Sequence, residues 1–305
     1  MSRAQHVATF WEEIADLEHT LRYVDAGGYR TRVLDFAGAG AGAGAQAQAV
    51  VLASGTSGHI EAWTQNVRPL VAAGYRVIGY DYPGHGYTSP VDHPGDPRLR
   101  ATPAGAARRT RAGAGAPRGE SLGGWLALKF APKHPDRLHT VILSAPGGRM
   151  VEEPKLDRTQ SVSARAVSEP TFENVKQRLQ VVIHDPEKIT DELVRVRQAI
   201  YAREGFDMAY VSALREPERR RRNQVTDDDF AALPVPALMV WTDHEPTGDA
   251  AEGERLCSLI PDGEFLLIRD AAHWPQWEGA AQFNSAAVAF LTRQGTGLAG
   301  REDHT

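Results

Sequence analysis

Residues 119–146, GESLGGWLALKFAPKHPDRLHTVILSAP, combine a glycine-rich turn, a helix-length segment, a proline turn and a short apolar run. The first five fit the pattern GxSxG, in which small residues permit a tight strand-to-helix turn that exposes the serine hydroxyl. The pattern alone is weak, because a glycine-rich turn with a capping serine has the same letters. The helix and the apolar run that follow favour Ser121 as a nucleophile.

Outside this segment, short apolar runs alternate with helix-length amphipathic stretches. That alternation predicts an α/β fold in which a mostly parallel sheet is flanked by helices. The predicted strands are Tyr29–Phe36, Ala49–Ala53, Tyr75–Asp81, Leu138–Ser144, Pro236–Trp241 and Glu264–Ile268. The predicted helices are Glu61–Ala73, Leu122–His134, Asp249–Leu259 and Ala280–Leu291.

The middle of the chain interrupts the alternation. From Arg149 to Arg222 it is polar and rich in helix formers, and no clear strand occurs before PVPALMVW at 234–241. We therefore expect a helical lid, residues 149–225, that is inserted into a core domain made of residues 1–148 and 226–295. The polar residues 296–305 are expected to form a disordered tail.

Two stretches do not fit this plan. AGAGAGAGAQAQ, residues 37–48, has low complexity and is predicted to be a flexible connector between strands. Residues 100–119 consist of Ala, Arg, Gly, Thr and Pro, so they lack the β-branched residues of a buried strand. A strand is needed before Ser121, and this composition predicts weak order and a poorly positioned serine. Our hypothesis for its origin is an out-of-frame stretch between two in-frame halves of the gene.

The charge balance and the cysteine count exclude several classes of function. Among the 305 residues, 34 Lys plus Arg oppose 39 Asp plus Glu, and the net charge of -5 argues against a nucleic-acid partner. Cys257 is the only cysteine and has no ligand cluster around it in the sequence, so neither a disulfide nor a metal site is predicted. The N-terminal residues and the short apolar runs predict neither a signal peptide nor a membrane span. The expected location is the cytoplasm.

A serine nucleophile requires a base and a group that orients the base. In the chain order expected for a GxSxG elbow, the acid and then the histidine follow the serine. His273 lies just after the apolar run FLLI, where a loop imidazole can reach over the sheet edge. The turn after PALMVW offers two carboxylates, Asp243 and Glu245, and the sequence leaves open which of them accepts the imidazole N–H. His244, in the same turn, is a weak alternative base.

Backbone donors for a developing oxyanion are expected in the loop Ser54–His59, which follows the apolar run VVLA. The amides of Thr56 and of Leu122, the residue after the nucleophile, are the predicted pair. A phosphate-binding loop is the alternative, but this loop lacks both the GxxxxGKS/T and the GxGxxG patterns. A nucleotide site is therefore not predicted.

Five motifs together resemble the α/β-hydrolase superfamily and, within it, the meta-cleavage product hydrolases. They are ASGTSGHIEAWTQNVRPL at 53–70, YRVIGYDYPGHGYTSP at 75–90, GESLGGWLALKFAPKHPDRL at 119–138, VWTDHEPTG at 240–248 and HWPQWE at 273–278. The resemblance implies an α/β-hydrolase fold and cleavage of a C–C bond in a 2-hydroxy-6-oxo-dienoate from aromatic compound degradation. It also implies Ser121 as nucleophile and His273 as base. When the VWTDHEPTG turn is lined up on its Trp and Gly, Glu245 rather than Asp243 takes the place of the acid.

The resemblance also implies roles in substrate binding. It puts Arg197, in the lid segment ITDELVRVRQAI, against the carboxylate of the substrate, which suits the fork of an Arg side chain. A solvated helix charge is the alternative. Trp274 is similar to a pocket residue of the family, with core packing as its alternative. A small-molecule substrate, no metal or organic cofactor, and a homodimer of the kind common in the family are further implications.

Three single residues depart from the family pattern. Ser54 stands where the oxyanion loop commonly has His, Glu120 stands where a small polar residue precedes the nucleophile, and Glu245 stands where Asp is usual. A carboxylate beside Ser121 is expected to disfavour anionic substrates. The alternative functions are a carboxylesterase and a catalytically impaired member of the superfamily.

Overall fold

One sheet of eight strands runs through the part of the chain that the computed structural model describes, which comprises residues 9–38, 48–91, 115–149, 153–206, 218 and 223–299. The strands are β1 His19–Ala26, β2 Tyr29–Phe36, β3 Ala49–Ala53, β4 Arg76–Tyr80, β5 Gly115–Glu120, β6 Val141–Ser144, β7 Ala237–Thr242 and β8 Gly263–Ile268. Their order across the sheet is β1-β2-β4-β3-β5-β6-β7-β8. The pairs β1/β2 and β2/β4 are antiparallel, and the other neighbouring pairs are parallel. The predicted mostly parallel sheet is confirmed.

The helices lie between the strands and after the last of them. They are α1 Thr64–Ala72, α2 Leu122–Phe130, α3 Glu153–Ser168, α4 Phe172–Leu179, α5 Asp191–Tyr201, α6 Asp227–Ala231, α7 Ala250–Leu259, α8 Pro275–Glu278 and α9 Ala280–Ala299. Side chains of Thr171, Thr190 and Asp249 accept an amide N–H at the starts of α4, α5 and α7. Such caps satisfy donors that have no partner inside the helix, so they fix where each helix begins.

Helices cover both faces of the sheet, as the sequence predicts. Side chains along a strand point alternately to opposite faces, and in β7 Leu238 and Val240 join one apolar cluster while Met239 and Trp241 join another. Residues of α1, α4, α5 and α9 belong to the first cluster, and residues of α2, α6 and α7 belong to the second. The sheet is therefore buried between two layers of helices.

β5 lies at the centre of the sheet, where the composition of residues 100–119 predicts no strand. It pairs in parallel with β3 on one side and with β6 on the other. The expectation was therefore wrong for residues 115–119, whereas residues 100–114 lie outside the described residues. Strand propensity reflects packing more than an intrinsic backbone preference. The largely buried neighbours β3 and β6 provide backbone partners on both edges of β5.

The described part of the interval between β6 and β7 contains α3, α4, α5 and α6 and no strand. Most of the predicted connector at residues 37–48 lies outside the described residues. α9 continues to Ala299, four residues into the predicted tail, because helical continuation pairs backbone groups within the chain. Residues 300–305 lie outside the described residues. In the described ranges, no helix has both the length and the apolar character needed to cross a bilayer.

A buried ion network ties the segment before α1 to the sheet. Arg32 in β2 binds both carboxylate oxygens of Glu61, at 2.9 and 2.8 Å, and donates to Asp81 Oδ2 at 2.6 Å. Asp81 Oδ1 in turn accepts the amide of Ile60 at 2.9 Å. Arg32, Glu61 and Asp81 are all buried. The C-terminal end of the loop that follows β3 is therefore bound to the sheet by buried ion pairs, which water does not screen.

Replacing Arg32 with methionine is expected to lower the free energy of unfolding by ~3–5 kcal/mol, because two buried carboxylates lose the cation that they share. Arg30 lies in the same strand and is exposed. Arg30→Met is therefore the matched control, with an expected loss of at most ~1 kcal/mol, because its guanidinium stacks on the ring of Tyr23 at the surface. Urea unfolding followed by circular dichroism measures both values, and equal stability of the two variants would contradict this account.

Candidate active site

Ser121 stands on the tight turn between β5 and α2 with a positive φ of 52°. A non-glycine residue with positive φ is strained and persists only where the surrounding structure fixes it. The turn requires small neighbours, since a Cβ at Gly119 would lie 2.1 Å from the carbonyl carbon of Gly123. A Cβ at Gly123 would lie 2.4 Å from the carbonyl oxygen of Ala53. This combination of strain and close backbone approach is that of a nucleophile elbow.

His273 lies in the loop between β8 and α8 and is buried. Its Nδ1 is 2.9 Å from each carboxylate oxygen of Glu245. Glu245 Oε1 also accepts the amide of Thr247 at 3.0 Å and its hydroxyl at 2.7 Å. These bonds fix the carboxylate in the turn after β7, so that the imidazole has a defined orientation.

Asp243 does not reach the imidazole. It is exposed, and its Oδ1 is 3.4 Å from the amide of Ala271. His244, the weak alternative base, is also exposed and stacks on the ring of His184 at a centroid distance of 3.7 Å. The structure thus brings Glu245, and not Asp243, to His273.

The other ring nitrogen of His273 faces Glu120. Nε2 lies 3.3 Å from Glu120 Oε1, and that oxygen accepts no hydrogen bond from the described residues. Within the same residues, no hydrogen bond joins His273 to the hydroxyl of Ser121. Nucleophile and base are often poorly aligned in substrate-free enzymes and align only when the complex forms. The expected serine–histidine contact is therefore absent from this state, although both groups lie at the same edge of the sheet.

Two carboxylates thus flank the imidazole. Burial disfavours its charged form, but the charge and hydrogen bond of Glu245 and the charge of Glu120 outweigh burial and raise the pKa of His273 to about 9. The charge of Arg178 opposes this rise. Burial also raises the pKa of Glu120, while the charge of His273, the amide of Gly55 and the charge of Arg197 oppose that rise. The two carboxylates therefore favour the imidazolium form of His273 in the substrate-free site.

The loop Ser54–His59 borders the elbow. Ser54 Oγ donates to the carbonyl of His59 at 3.0 Å and accepts the indole N–H of Trp63 at 3.0 Å. Ser54, which departs from the family pattern, therefore joins the start of the loop to its last residue, His59. The amide of Gly55 donates to Glu120 Oε2 at 2.6 Å.

The two predicted oxyanion donors are the amides of Thr56 and Leu122. Leu122 is the first residue of α2, so its N–H has no partner inside the helix. The amide of Thr56 donates to no backbone carbonyl in the described part of the chain. Both amides therefore have unused hydrogen-bonding capacity beside the elbow, and their role as oxyanion donors stays a prediction.

Arg197 in α5 is almost completely buried, with 1% of its surface exposed. Its Nε donates to the hydroxyl of Tyr201 at 2.8 Å, and its Nη2 donates to the carbonyl and the hydroxyl of Ser57 at 2.9 and 3.0 Å. Nη1 is buried without a hydrogen-bond partner among the described residues. The alternative of a solvated helix charge does not fit this burial. The guanidinium is bound to the same loop that carries Thr56.

Trp274 lies beside this cation, with the Arg197 guanidinium carbon 5.1 Å from its ring centroid. It also belongs to the main apolar cluster. Sequence reasoning missed Ser57 and Tyr201. The i, i+4 spacing of Arg197 and Tyr201 on one helix was a usable signal, whereas the contact of Ser57 depends on its positive φ of 59°, which the sequence does not reveal.

One group of side chains has the composition of a metal site. Asp243, His244 and Asp270 are exposed, and their ligand atoms lie within 4.8 Å of one another. Exposed acidic groups of this kind are common without an ion. This group does not test whether the reaction needs a metal, so the prediction of a reaction without a metal stays a prediction.

Comparison with known proteins gives consistent findings. A family model described as "Alpha/beta hydrolase family" matches residues 50–286. A 2-hydroxy-6-oxononadienedioate/2-hydroxy-6-oxononatrienedioate hydrolase from Cupriavidus pinatubonensis is 30% identical over 255 residues, which cover 79% of this chain and 86% of that protein. A 2-hydroxy-6-oxo-6-phenylhexa-2,4-dienoate hydrolase from Comamonas testosteroni is 29% identical over 256 residues, 80% of this chain and 88% of that protein. The solved structure of a meta-cleavage product hydrolase from Pseudomonas fluorescens has a TM-score of 0.74 and 24% identity, and the match covers 89% of this chain and 97% of that one.

Proposed function

The chain belongs to the alpha/beta hydrolase family, and on that basis we propose that it is a serine-dependent hydrolase that cleaves a C–C bond in a 2-hydroxy-6-oxo-dienoate. The names of relatives at 29–30% identity support this class of substrate. The observation that carries the proposal is the buried guanidinium of Arg197, because it is a cation available for the carboxylate of such a substrate.

The hydrogen bonds of Arg197 leave one end of the guanidinium available. Nε and Nη2 are bound to Tyr201 and Ser57, and Nη1 has no hydrogen-bond partner among the described residues. A buried charge is costly unless it is paired and hydrogen-bonded. A substrate carboxylate supplies both an acceptor for Nη1 and a full negative charge, whereas a neutral ester supplies an acceptor without the charge. This difference favours a carboxylated dienone over a simple ester.

In the proposed reaction the dienol of the substrate first ketonises in the site. Nε2 of His273 accepts the proton of Ser121 as the serine oxygen attacks the distal ketone carbon, and Glu245 stabilises the imidazolium. The amides of Thr56 and Leu122 bind the oxyanion that forms. The C–C bond then breaks, and the departing dienolate takes the proton from His273. Water hydrolyses the ester left on Ser121 and releases a carboxylic acid.

The proposal includes the organisation of the chain around this site. Residues 149–225 serve as the lid that carries Arg197, and residues 1–148 and 226–295 form the core that carries Ser121 and His273. Trp274 contributes to the wall of the pocket next to Arg197. A cytoplasmic location and a homodimer stay predictions from the sequence and the resemblance.

The proposal predicts that the purified protein removes the absorbance of 2-hydroxy-6-oxo-6-phenylhexa-2,4-dienoate and that Arg197→Met impairs this reaction selectively. The variant is expected to lose ~1.5–3 kcal/mol of transition-state binding, about a 10- to 150-fold fall in kcat/KM, because a hydrogen bond to a charged group is removed. Hydrolysis of p-nitrophenyl acetate by the same variant is the internal control. It is expected to change by less than about threefold, since acetate esters carry no carboxylate.

Two outcomes would contradict the proposal. Hydrolysis of the ester without any loss of the dienone absorbance would assign the chain as a carboxylesterase. Equal losses on both substrates would mean that Arg197 acts by holding the loop of Thr56 through Ser57 and does not select a carboxylate.

A further inference from the structure

The carboxyl group of Glu120 fills the space between the oxyanion loop and the base. Its side chain is 2% exposed, with Oε2 accepting the amide of Gly55 at 2.6 Å and Oε1 lying 3.3 Å from Nε2 of His273. A Cβ at residue 55 would lie 2.5 Å from Oε2, so Gly55 leaves just enough room for this carboxylate. A buried acceptor therefore points at the ring nitrogen that the proposed reaction needs.

The contact between Glu120 Oε1 and His273 Nε2 is an ion pair when the imidazole is protonated. Oε1 of Glu120 accepts no hydrogen bond from the described residues, so the imidazolium is its main source of stabilisation. The charged groups that act on the pair are Glu245 and Arg178 at His273, and Glu245 and Arg197 at Glu120. Ser121, next to Glu120 in the chain, has no hydrogen bond to His273 in this state.

We propose that Glu120 is a positioning residue that binds the Nε2 face of His273 in competition with Ser121, so that the resting imidazole is held as a cation between two carboxylates. The proposal rests on the serine–histidine pair of the proposed function but not on the identity of its substrate. Nε2 becomes a base only after its proton has left to solvent and the ring has turned from Glu120 to Ser121.

The sign of the effect follows from the charges. The carboxylate of Glu120 favours the imidazolium, so its removal lowers the pH at which His273 becomes neutral. At a pH well below that midpoint, each unit of downward shift raises the neutral fraction tenfold. A nearby opposite charge shifts a pKa by about 1–3 units. The variant without the charge is therefore expected to have a more reactive Ser121 at neutral pH.

Glu120→Gln and Glu120→Asp separate the charge from the loop contact. Gln has the same length and can still accept the amide of Gly55, but it brings no charge to Nε2. Asp keeps the charge but is one methylene shorter and loses its reach to Gly55. If Glu120 mainly holds the loop, Glu120→Asp is expected to reduce the labelling rate more than Glu120→Gln does. If Glu120 mainly stabilises the imidazolium of His273, Glu120→Gln is expected to shift the pH dependence of labelling.

The readout is the rate at which diisopropyl fluorophosphate labels Ser121 between pH 5 and pH 10, measured by intact mass. The wild type is expected to have a midpoint near the value of about 9 that the two carboxylates give His273. Glu120→Gln is expected to lower this midpoint by about one unit or more and to label about tenfold faster at pH 7. Glu120→Asp keeps a negative charge near Nε2, but at a longer distance, and is expected to lower the midpoint by less than Glu120→Gln does. Glu254→Gln, at an exposed position of α7, is the charge-matched control with no expected change.

A wild-type midpoint near 6.5, the ordinary value for histidine, or a midpoint that Glu120→Gln does not move would overturn the proposal. If Glu120→Gln does not fold, Glu120→Ala replaces it, and the same downward shift of the midpoint is expected because the carboxylate is again removed. If Ser121 is not labelled, a carbon-13 NMR titration of His273, assigned by its loss in His273→Gln, gives the same midpoint. The midpoint of labelling could shift as expected although the protein does not cleave the dienone. That result would contradict the proposed substrate and support the proposed role of Glu120.

Discussion

Replacement of Ser121 by alanine is expected to lower kcat for the dienone by about 10⁴-fold or more, because loss of a nucleophile from a catalytic triad removes most of the rate enhancement. The elbow puts this hydroxyl at the end of a central strand with a φ of 52°, and such strain is maintained where a side chain must be presented. Binding of the dienone is expected to persist, since Arg197 is unchanged. Stopped-flow absorbance at saturating substrate measures the rate, and an equilibrium titration measures binding.

Ser144 provides the matched control for this experiment. It is buried at the end of β6, its carbonyl accepts the amide of Ser121 at 3.0 Å, and its hydroxyl has no hydrogen-bond partner among the described residues. Ser144→Ala keeps the backbone bond and is expected to change kcat by less than about twofold. A loss of less than about tenfold in Ser121→Ala would mean that a water activated by His273 attacks the ketone and that the serine is not the nucleophile.

Much of the sheet could be predicted because most of its strands carry short apolar runs, as in AVVLA of β3, VIL of β6 and ALMVW of β7. β2 and β3 have the predicted bounds, and β4, β6, β7 and β8 differ from them by a few residues at most. β1 was missed because most of its residues are exposed, so HTLRYVDA lacks an apolar pattern. β5 was missed for a different reason, since its place depends on pairing with two neighbours and its own residues give no signal.

The sequence predicted the chain order of the residues in the candidate site, but it did not predict their contacts. The chain order of Ser121, the acid turn and His273 followed from the elbow, and the structure puts all three at one edge of the sheet. Which carboxylate meets the imidazole depends on how the turn after β7 is bonded, which the sequence leaves open. The contact of Glu120 with His273 was missed because a residue pattern does not encode which loops the side chain at the end of β5 meets.

Glu245→Gln is expected to lower kcat by about 10⁴-fold, the scale of loss when the acid of a serine-protease triad becomes an amide. Both carboxylate oxygens lie 2.9 Å from Nδ1 of His273, so the amide removes the charge that stabilises the imidazolium and can bind the wrong tautomer of the ring. The backbone amide of Thr247 still finds an acceptor in the Gln side chain, so the turn is expected to keep its shape. Loss of the dienone absorbance gives kcat, and thermal unfolding by circular dichroism reports on the fold.

Asp243→Asn tests the other carboxylate of the same turn with the same chemical change. Asp243 is exposed and its Oδ1 lies 3.4 Å from the amide of Ala271, so kcat is expected to change by less than about threefold. If Asp243→Asn were the inactive variant and Glu245→Gln the active one, the turn would have to rearrange when substrate binds. Because the Glu245 carboxylate is held by Thr247 as well as by His273, such a rearrangement would break bonds to two residues. The pair of variants therefore distinguishes a triad that is already assembled on its acid side from one that assembles only with substrate.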